Sequence, residues 1–332
     1  MLRLGTLVMG LVLGMVASAQ EICTNAIDDD GDGLVDLNDT VDCPCNHILT
    51  VDDDVTSLIP NPSFELYSTL PTEIGQLDHC VDWSQATYAS TDYFHAAGYA
   101  LPNTPLPLPD GEAYTGFHII HDNPGNGIGN ADPYTEYLGA NFQQPLQAGT
   151  TYVLRAYIAG GAITYTFLDT IPDPLDLPVY TFDPPYFGPV DITIFGSAVP
   201  ATFPVGAIFD CPASVGWTDV GHVSYLPTPQ WSVITIPFTP TVDLYGIMIG
   251  GPCVPPMDHA FFEDGAWSGS GPYYLIDDLA LNTLDQFTGV IVAEGGLCAQ
   301  DLVLTAYAPA NTVSYQWYRD GVALIGQTTN VI

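Results

Sequence analysis

Proline and glycine recur so often that few stretches of this chain can continue as a helix. There are 29 prolines and 32 glycines among 332 residues, and between residues 48 and 284 they cut the sequence into short runs. Proline fixes φ and lacks an N–H, while glycine supplies turn conformations. The runs themselves are rich in Val, Ile, Thr and Tyr, which favour strands. Residues 151–158, 231–238, 245–249 and 273–281 stand out, for example Thr-Tyr-Val-Leu-Arg-Ala-Tyr-Ile at 151–158. The spacing predicts an all-β antiparallel sandwich with no amphipathic helix. The Pro-rich segments 101–110 and 171–189 are expected to be long surface loops.

Charge narrows the function. Lys+Arg number 3 against 38 Asp+Glu, a formal net charge of -35. The three cations are Arg3, Arg155 and Arg319, so no basic patch can form. That excludes nucleic-acid binding through phosphates and electrostatic attraction to anionic membranes. With 47% hydrophobic residues the chain is not a disordered acidic tail. Its acidity suits divalent cations and solubility.

The first residues have the pattern of a secretory signal: Arg3, an apolar run over 4–16, then Ala17-Ser18-Ala19 as a cleavage site. The run is shorter than the ~20 residues that cross a bilayer, and no later stretch is long and apolar enough, so no membrane insertion is expected. A secreted, extracellular or cell-surface location follows. In that compartment the seven cysteines read as disulfides with one left over. Pairings of Cys23 with Cys43, Cys211 with Cys253 and Cys45 with Cys80 are expected, although sequence does not fix connectivity. Cys298 is the expected odd thiol.

Residues 28–39 concentrate carboxylates. Counted as an EF-hand-type loop, Asp28, Asp30 and Asp32 occupy positions 1, 3 and 5, followed by Gly33. Leu34 then offers its carbonyl at 7, with Asp36 at 9 and Asp39 at 12. Hard oxygens at this spacing suit calcium. No entering helix fits between the cleavage site and the loop, so the expectation is a structural clip rather than a sensor, filled at the ~0.1–1 mM affinity of extracellular sites. The run Glu21-Ile22-Cys23 through Asp36 resembles a short repeat near the start of many surface proteins of gliding bacteria. It is also similar to the thrombospondin type 3 calcium repeat.

Several phrases in order resemble the carbohydrate-binding jelly rolls, or galactose-binding-like domains. They are Asn61-Pro62-Ser63-Phe64-Glu65 as an opening strand, Trp83, and Thr91-Asp92-Tyr93-Phe94. Asp110-Gly111-Glu112-Ala113-Tyr114-Thr115-Gly116 follows, then Gln144 to Tyr152, and finally Ile276-Asp277-Asp278-Leu279. The resemblance implies a jelly-roll β-sandwich over 47–284, longer than the usual module, with a structural calcium held by Glu65, Asp277 and Asp278. After it, Cys298, the strand at 301–307 and Tyr315-Gln316-Trp317 resemble the first half of an immunoglobulin-like domain. The expected organisation is a signal peptide (1–19), a calcium loop (20–46), the jelly roll (47–284) and an incomplete immunoglobulin-like unit (285–332).

For chemistry, aromatic faces stack on sugar rings and carboxylates accept hydroxyl hydrogen bonds. Trp83, Tyr88, Tyr93, Phe94 and Tyr99 cluster around Asp92 as one candidate platform, with the alternative that they fill the core. Trp267, in a Gly/Ser-rich loop, is a second candidate. The carboxylates Glu112, Glu136, Glu263 and Asp264 are the ones to test for glycoside hydrolysis, but acids are too abundant to signal it, and no catalytic motif is present. His118 and His121, three apart on a strand, face opposite sides. The expected function is a calcium-stabilised, non-catalytic binding or adhesion protein recognising a glycan or cell-surface polysaccharide. The alternatives are the non-catalytic front of a polysaccharide-degrading enzyme and a spacer with no ligand.

Overall fold

A computed structural model of the protein describes residues 55–121, 133–167, 178–263, 268–287, 290–294, 302–308, 314–319 and 322–332. All lie in the second of two units into which the chain divides, Met1–Asn46 and His47–Ile332. The signal segment and the acidic loop at 28–39 fall outside the described residues.

In chain order the strands are β1 (Ser84–Gln85), β2 (Asp92–His95), β3 (Ala113–Ile120), β4 (Tyr134–Thr135), β5 (Tyr137–Leu146) and β6 (Tyr152–Thr166). Then come β7 (Val179–Asp183), β8 (Val190–Ser197), β9 (Thr218–Tyr225), β10 (Ser232–Phe238), β11 (Leu244–Gly250), β12 (Phe262–Glu263) and β13 (Ser268–Thr283). The last four are β14 (Val290–Glu294), β15 (Val303–Tyr307), β16 (Tyr318–Arg319) and β17 (Val322–Ala323). Two sheets form the body: one of order β1-β5-β11-β8-β9, the other β10-β6-β13-β3-β2 with β7, β12 and β4 added at the side. Every pairing is antiparallel. Among the described residues the only helical turns are 3-10. The protein is an all-β sandwich of jelly-roll type.

Strand periodicity explains the core. On β6, Tyr152, Leu154, Ala156 and Ile158 point between the sheets and meet Ile192, Ile194, Ile247 and Ile249 from the facing sheet. Each fully buried aliphatic side chain there contributes ~1.5–3 kcal/mol of hydrophobic stabilisation. The alternate residues of β6 point outward and are covered twice. Near one end, Val153 packs with Phe287 and Val290, and the buried Arg155 guanidinium lies 4.7 Å from the Phe287 ring centroid. Farther along, Ala159 and Ile163 join Phe94, Tyr114, Phe182, Trp231 and Tyr273 in a second cluster. β14 adds Val292 to the inter-sheet core, so the chain just beyond residue 284 is packed against the sandwich.

The four runs singled out from sequence fall on β6, β10, β11 and β13. Two expectations are corrected. Asn61 to Glu65 is a turn rather than an opening strand: Asn61 and Phe64 have φ of 47° and 62°, and Phe64 N–H donates to Asn61 O. The preceding residues run along β13 instead, with Leu58 N–H donating to Leu281 O at 2.7 Å. Within the expected loop at 171–189, Val-Tyr-Thr-Phe-Asp forms β7 and pairs with β6 from Val179 to Asp183. Its β-branched and aromatic side chains outweigh the flanking prolines.

Candidate functional site

The outer face of the larger sheet carries an open cleft of about 210 Å³. Register places its floor. Asp92 on β2 lies opposite Gly116 on β3, and His118 on β3 lies opposite Tyr273 on β13. Directly opposed residues share a face of the sheet, so all four lie on one face, where Asp92 and His118 line the recess and the buried Tyr273 packs beneath. Gly116 leaves room for the Tyr273 hydroxyl, and Gly271 leaves room for the Phe261 ring beside His118. Ile74, Ile163, Tyr180 and Phe261 wall the cleft.

Two carboxyl groups sit at its base. Asp92 and Glu136 are 3% and 1% exposed, and buried carboxylates are costly unless hydrogen-bonded. Both are. Asp92 accepts Gly75 N–H at 2.5 Å and the Tyr273 hydroxyl. Glu136 accepts the Tyr134 hydroxyl at 2.7 Å, the Ser90 hydroxyl at 3.2 Å and His118 N–H at 2.9 Å. Burial, and then the nearness of Glu136, push Asp92 well above the usual carboxylate range, against the pull of the bonds from Tyr273 and Gly75. Burial followed by Asp92 likewise pushes Tyr273 upward.

Aromatic groups frame the pair. The His118 ring meets Tyr273 edge-on at 4.9 Å, and its Nδ1 bonds Pro272 O at 2.9 Å. Phe261 stacks on Tyr165 at 6.1 Å. Acceptor oxygens between flat apolar faces match a polyhydroxylated ring, whose hydroxyls donate while its C–H faces stack.

Of the expected sugar platform, only Asp92 reaches this cleft. Trp83 is 2% exposed, donates through Nε1 to Asn61 O at 2.9 Å and packs on Phe64. Tyr93 points into the inter-sheet core and donates to Phe64 O. Phe94, its neighbour on the opposite face, is stacked between Tyr99 and Tyr114. These three are core residues, and Tyr93 and Phe94 are buried because both faces of β2 are covered. Trp267 and Asp264 fall outside the described residues, as does the side chain of Glu263. Glu112 lies exposed at a turn where its N–H and that of Ala113 both donate to Glu65 at 2.8 Å. Glu136, weighed only as a catalytic acid, is the acceptor that completes the cleft. Ser90, Tyr134, Tyr180 and Phe261 carried no pattern that marks them.

Of the metal candidates, Asp28, Asp30, Asp32, Leu34, Asp36 and Asp39 fall outside the described residues. Asp277 is fully buried, accepting Asp110 N–H at 3.2 Å and Asp278 N–H at 2.7 Å. A bulge in β13 between Asp277 and Ala280, with Asp278 at φ 49°, turns these carboxylates out of the ladder. Burial raises Asp277 strongly, and burial with Asp110 raises Asp278. The donors are all hard oxygens, as calcium requires. Among the described residues no three Asp, Glu, His or Cys side chains converge on one point, so carbonyls would have to complete a shell.

Cys211 and Cys253 form a disulfide across 42 residues, as expected. Cys80 is a buried free thiol. It contacts Asn61 Nδ2 and the carbonyls of Phe64 and Leu66, so the pairing with Cys45 does not form. Cys23, Cys43, Cys45 and Cys298 are outside the described residues. His118 and His121 bind separate carbonyls, Pro272 O and Pro255 O.

No family model matches the sequence, and no curated protein matches it. Among solved structures it is similar to a family 4 carbohydrate-binding module at 11% identity, covering 68% of this chain and 99% of that one, TM-score 0.30. It is similar to the CBM22-1–GH10 modules of a Clostridium thermocellum xylanase complexed with xylohexaose at 9% identity, covering 70% and 29%, TM-score 0.31. A family 11 module from Clostridium thermocellum, in complex with a mixed-linked tetrasaccharide, matches at 9% identity over 60% and 87%, TM-score 0.25. Scores this low carry no argument about ligand or activity. The sandwich stands on its own strand pairing.

Proposed function

We propose that this is a secreted, non-catalytic glycan-binding protein, an adhesion or surface component whose jelly roll holds a sugar chain in the Asp92–Glu136 cleft. The observation that carries this reading is the pairing of buried, hydrogen-bonded carboxyls with the aromatic walls of Tyr134, His118, Tyr180 and Phe261. The Cys211–Cys253 disulfide favours an oxidising, extracellular compartment. Among the described residues no helix is long and apolar enough to cross a membrane. Calcium belongs to the same proposal, held at 28–39 and by Glu65, Asp277 and Asp278, with backbone carbonyls completing the shell. Residues 285–332 would begin an immunoglobulin-like array.

The test is glycan-array binding followed by calorimetry against xylohexaose, cellohexaose and a mixed-linked β-glucan tetrasaccharide. Binding that drops about tenfold or more in Glu136→Gln or Phe261→Ala, a loss of ~1.4 kcal/mol or more, supports the cleft. Absence of any glycan ligand for the folded protein sinks the proposal. A hydrolase domain following residue 332 in the full-length gene would select the enzyme-attached alternative.

A further inference from the structure

Among the described residues neither a lysine nor an arginine lines the cleft that holds the two carboxyls. The whole chain has three Lys+Arg. Arg155 is engaged with Phe287, and Arg319 lies on β16. The titratable groups that line the cleft with Asp92 are Glu136 from the β4–β5 junction, His118 from β3, Tyr134 from β4 and Tyr180 from β7; Tyr273 from β13 bonds Asp92, and Tyr99 lies behind it, close enough to feel its charge. Hydrogen bonds divide the pair unequally. Glu136 accepts three donors, whereas Asp92, equally buried, accepts two. Two groups so placed cannot both ionise freely, and the better-solvated one takes the charge. Asp92, equally buried but with fewer donors, is therefore the carboxyl that keeps the proton.

We propose that the Asp92–Glu136 pair makes glycan capture pH-gated: the cleft binds with one proton on the pair and releases its ligand when that proton is lost. The inference rests on the glycan-binding reading above. A ligand seated over the pair strips its remaining water. Covering one anion that still accepts a ligand hydroxyl is tolerable, but covering two adjacent anions is not. The ligand thus favours the protonated pair, and by linkage binding takes up a proton at pH values where free Asp92 is ionised. The direction of the Asp92 shift agrees: burial and Glu136 both favour its neutral form.

The experiment is calorimetry of xylohexaose, cellohexaose and the mixed-linked tetrasaccharide from pH ~4 to ~9, spanning carboxyl titration from its ordinary range upward. Wild type is compared with Asp92→Asn and with Asp219→Asn, an exposed site on β9. Wild type should lose about tenfold in affinity for each unit by which the ligand raises the Asp92 pKa. Proton uptake should appear when buffers of different ionisation enthalpy are compared. Asp92→Asn should abolish the alkaline loss, and Asp219→Asn should keep it. Binding with a flat profile, or an alkaline loss unchanged in Asp92→Asn, overturns the gate alone. Absence of binding at every pH overturns the glycan reading, and the gate with it. Carboxyl carbon-13 titration of ligand-free wild type is independent of any variant's folding. Asp92 titrating in the ordinary carboxylate range would also overturn the gate.

Discussion

The hydroxyl of Tyr273 occupies the space that a side chain at Gly116 would fill. Glycine at 116 is what allows Tyr273 to lie across β3 and reach Asp92. Gly116→Ala should push the ring aside and cost about 1–3 kcal/mol, the usual penalty for overpacking a filled site. It should also weaken ligand binding by freeing Asp92 from its donor. Urea unfolding with binding measured at the same pH checks both. Wild-type stability in this variant would mean that the ring has room the structure does not show.

Trp83 separates a core role from a ligand role. With its ring buried on Phe64 and its N–H bonded to Asn61 O, Trp83→Ala should lower stability by about 3–5 kcal/mol. Trp83→Phe, which keeps most of the packing, should lose less and leave glycan affinity unchanged. A Trp83→Phe protein that folds normally but no longer binds would restore the platform.

The architecture was legible because its signal is repetitive. The alternation of Tyr152, Leu154, Ala156 and Ile158 writes a strand into the sequence, and the prolines and glycines around it mark where strands stop. The Cys211–Cys253 pairing was expected too and is present, although the sequence alone did not fix which cysteines join. The cleft was not. Asp92, Glu136, Ser90 and Tyr180 come from β2, from the β4–β5 junction, from a loop and from β7, and only strand register brings them together. Clustering in sequence misled for the same reason. Tyr93 and Phe94 adjoin Asp92 along the chain, but a strand covered on both faces buries both. The turn at Asn61 to Glu65 was hidden because positive φ at Asn61 and Phe64 is imposed by tertiary bonds, such as Asn61 Nδ2 to Leu66 O and Val81 O.

His259 sets an acid limit on stability. Its ring is fully buried, with Nε2 bonded to the Tyr274 hydroxyl at 2.7 Å and Nδ1 to Asp258 at 3.2 Å. Burial lowers its pKa below 6.5, Asp258 pulls it back up, and His121 lowers it further. Below pH 6.5 the unfolded chain therefore takes up a proton that the folded protein resists. Stability from this site is complete above 6.5 and falls as pH drops toward the lowered value. Thermal unfolding across that window should show Tm decreasing with acid. His259→Gln, which does not titrate, should flatten this part of the profile. An identical slope in the variant would assign the acid loss to other groups.

If calcium binds as proposed, Asp277 should give opposite signs with and without it. Alone, a fully buried carboxylate with two N–H donors costs stability at neutral pH, and burial holds it well above the ordinary carboxylate range. In chelator, Asp277→Asn removes a charge that the fold solvates poorly, so the variant should match or exceed wild type. With calcium bound at Glu65, Asp277 and Asp278, the same carboxylate becomes a ligand. Wild type should then gain stability as RT ln(1 + [Ca]/Kd), about 2.7 kcal/mol at a hundredfold excess over Kd, and Asp277→Asn should gain much less. The ranking of the two proteins should therefore reverse on adding calcium, as read from Tm in paired scans. A calcium response of equal size in both would remove Asp277 from the metal site and leave residues 28–39 as the remaining candidate, which Asp30→Ala tests in turn.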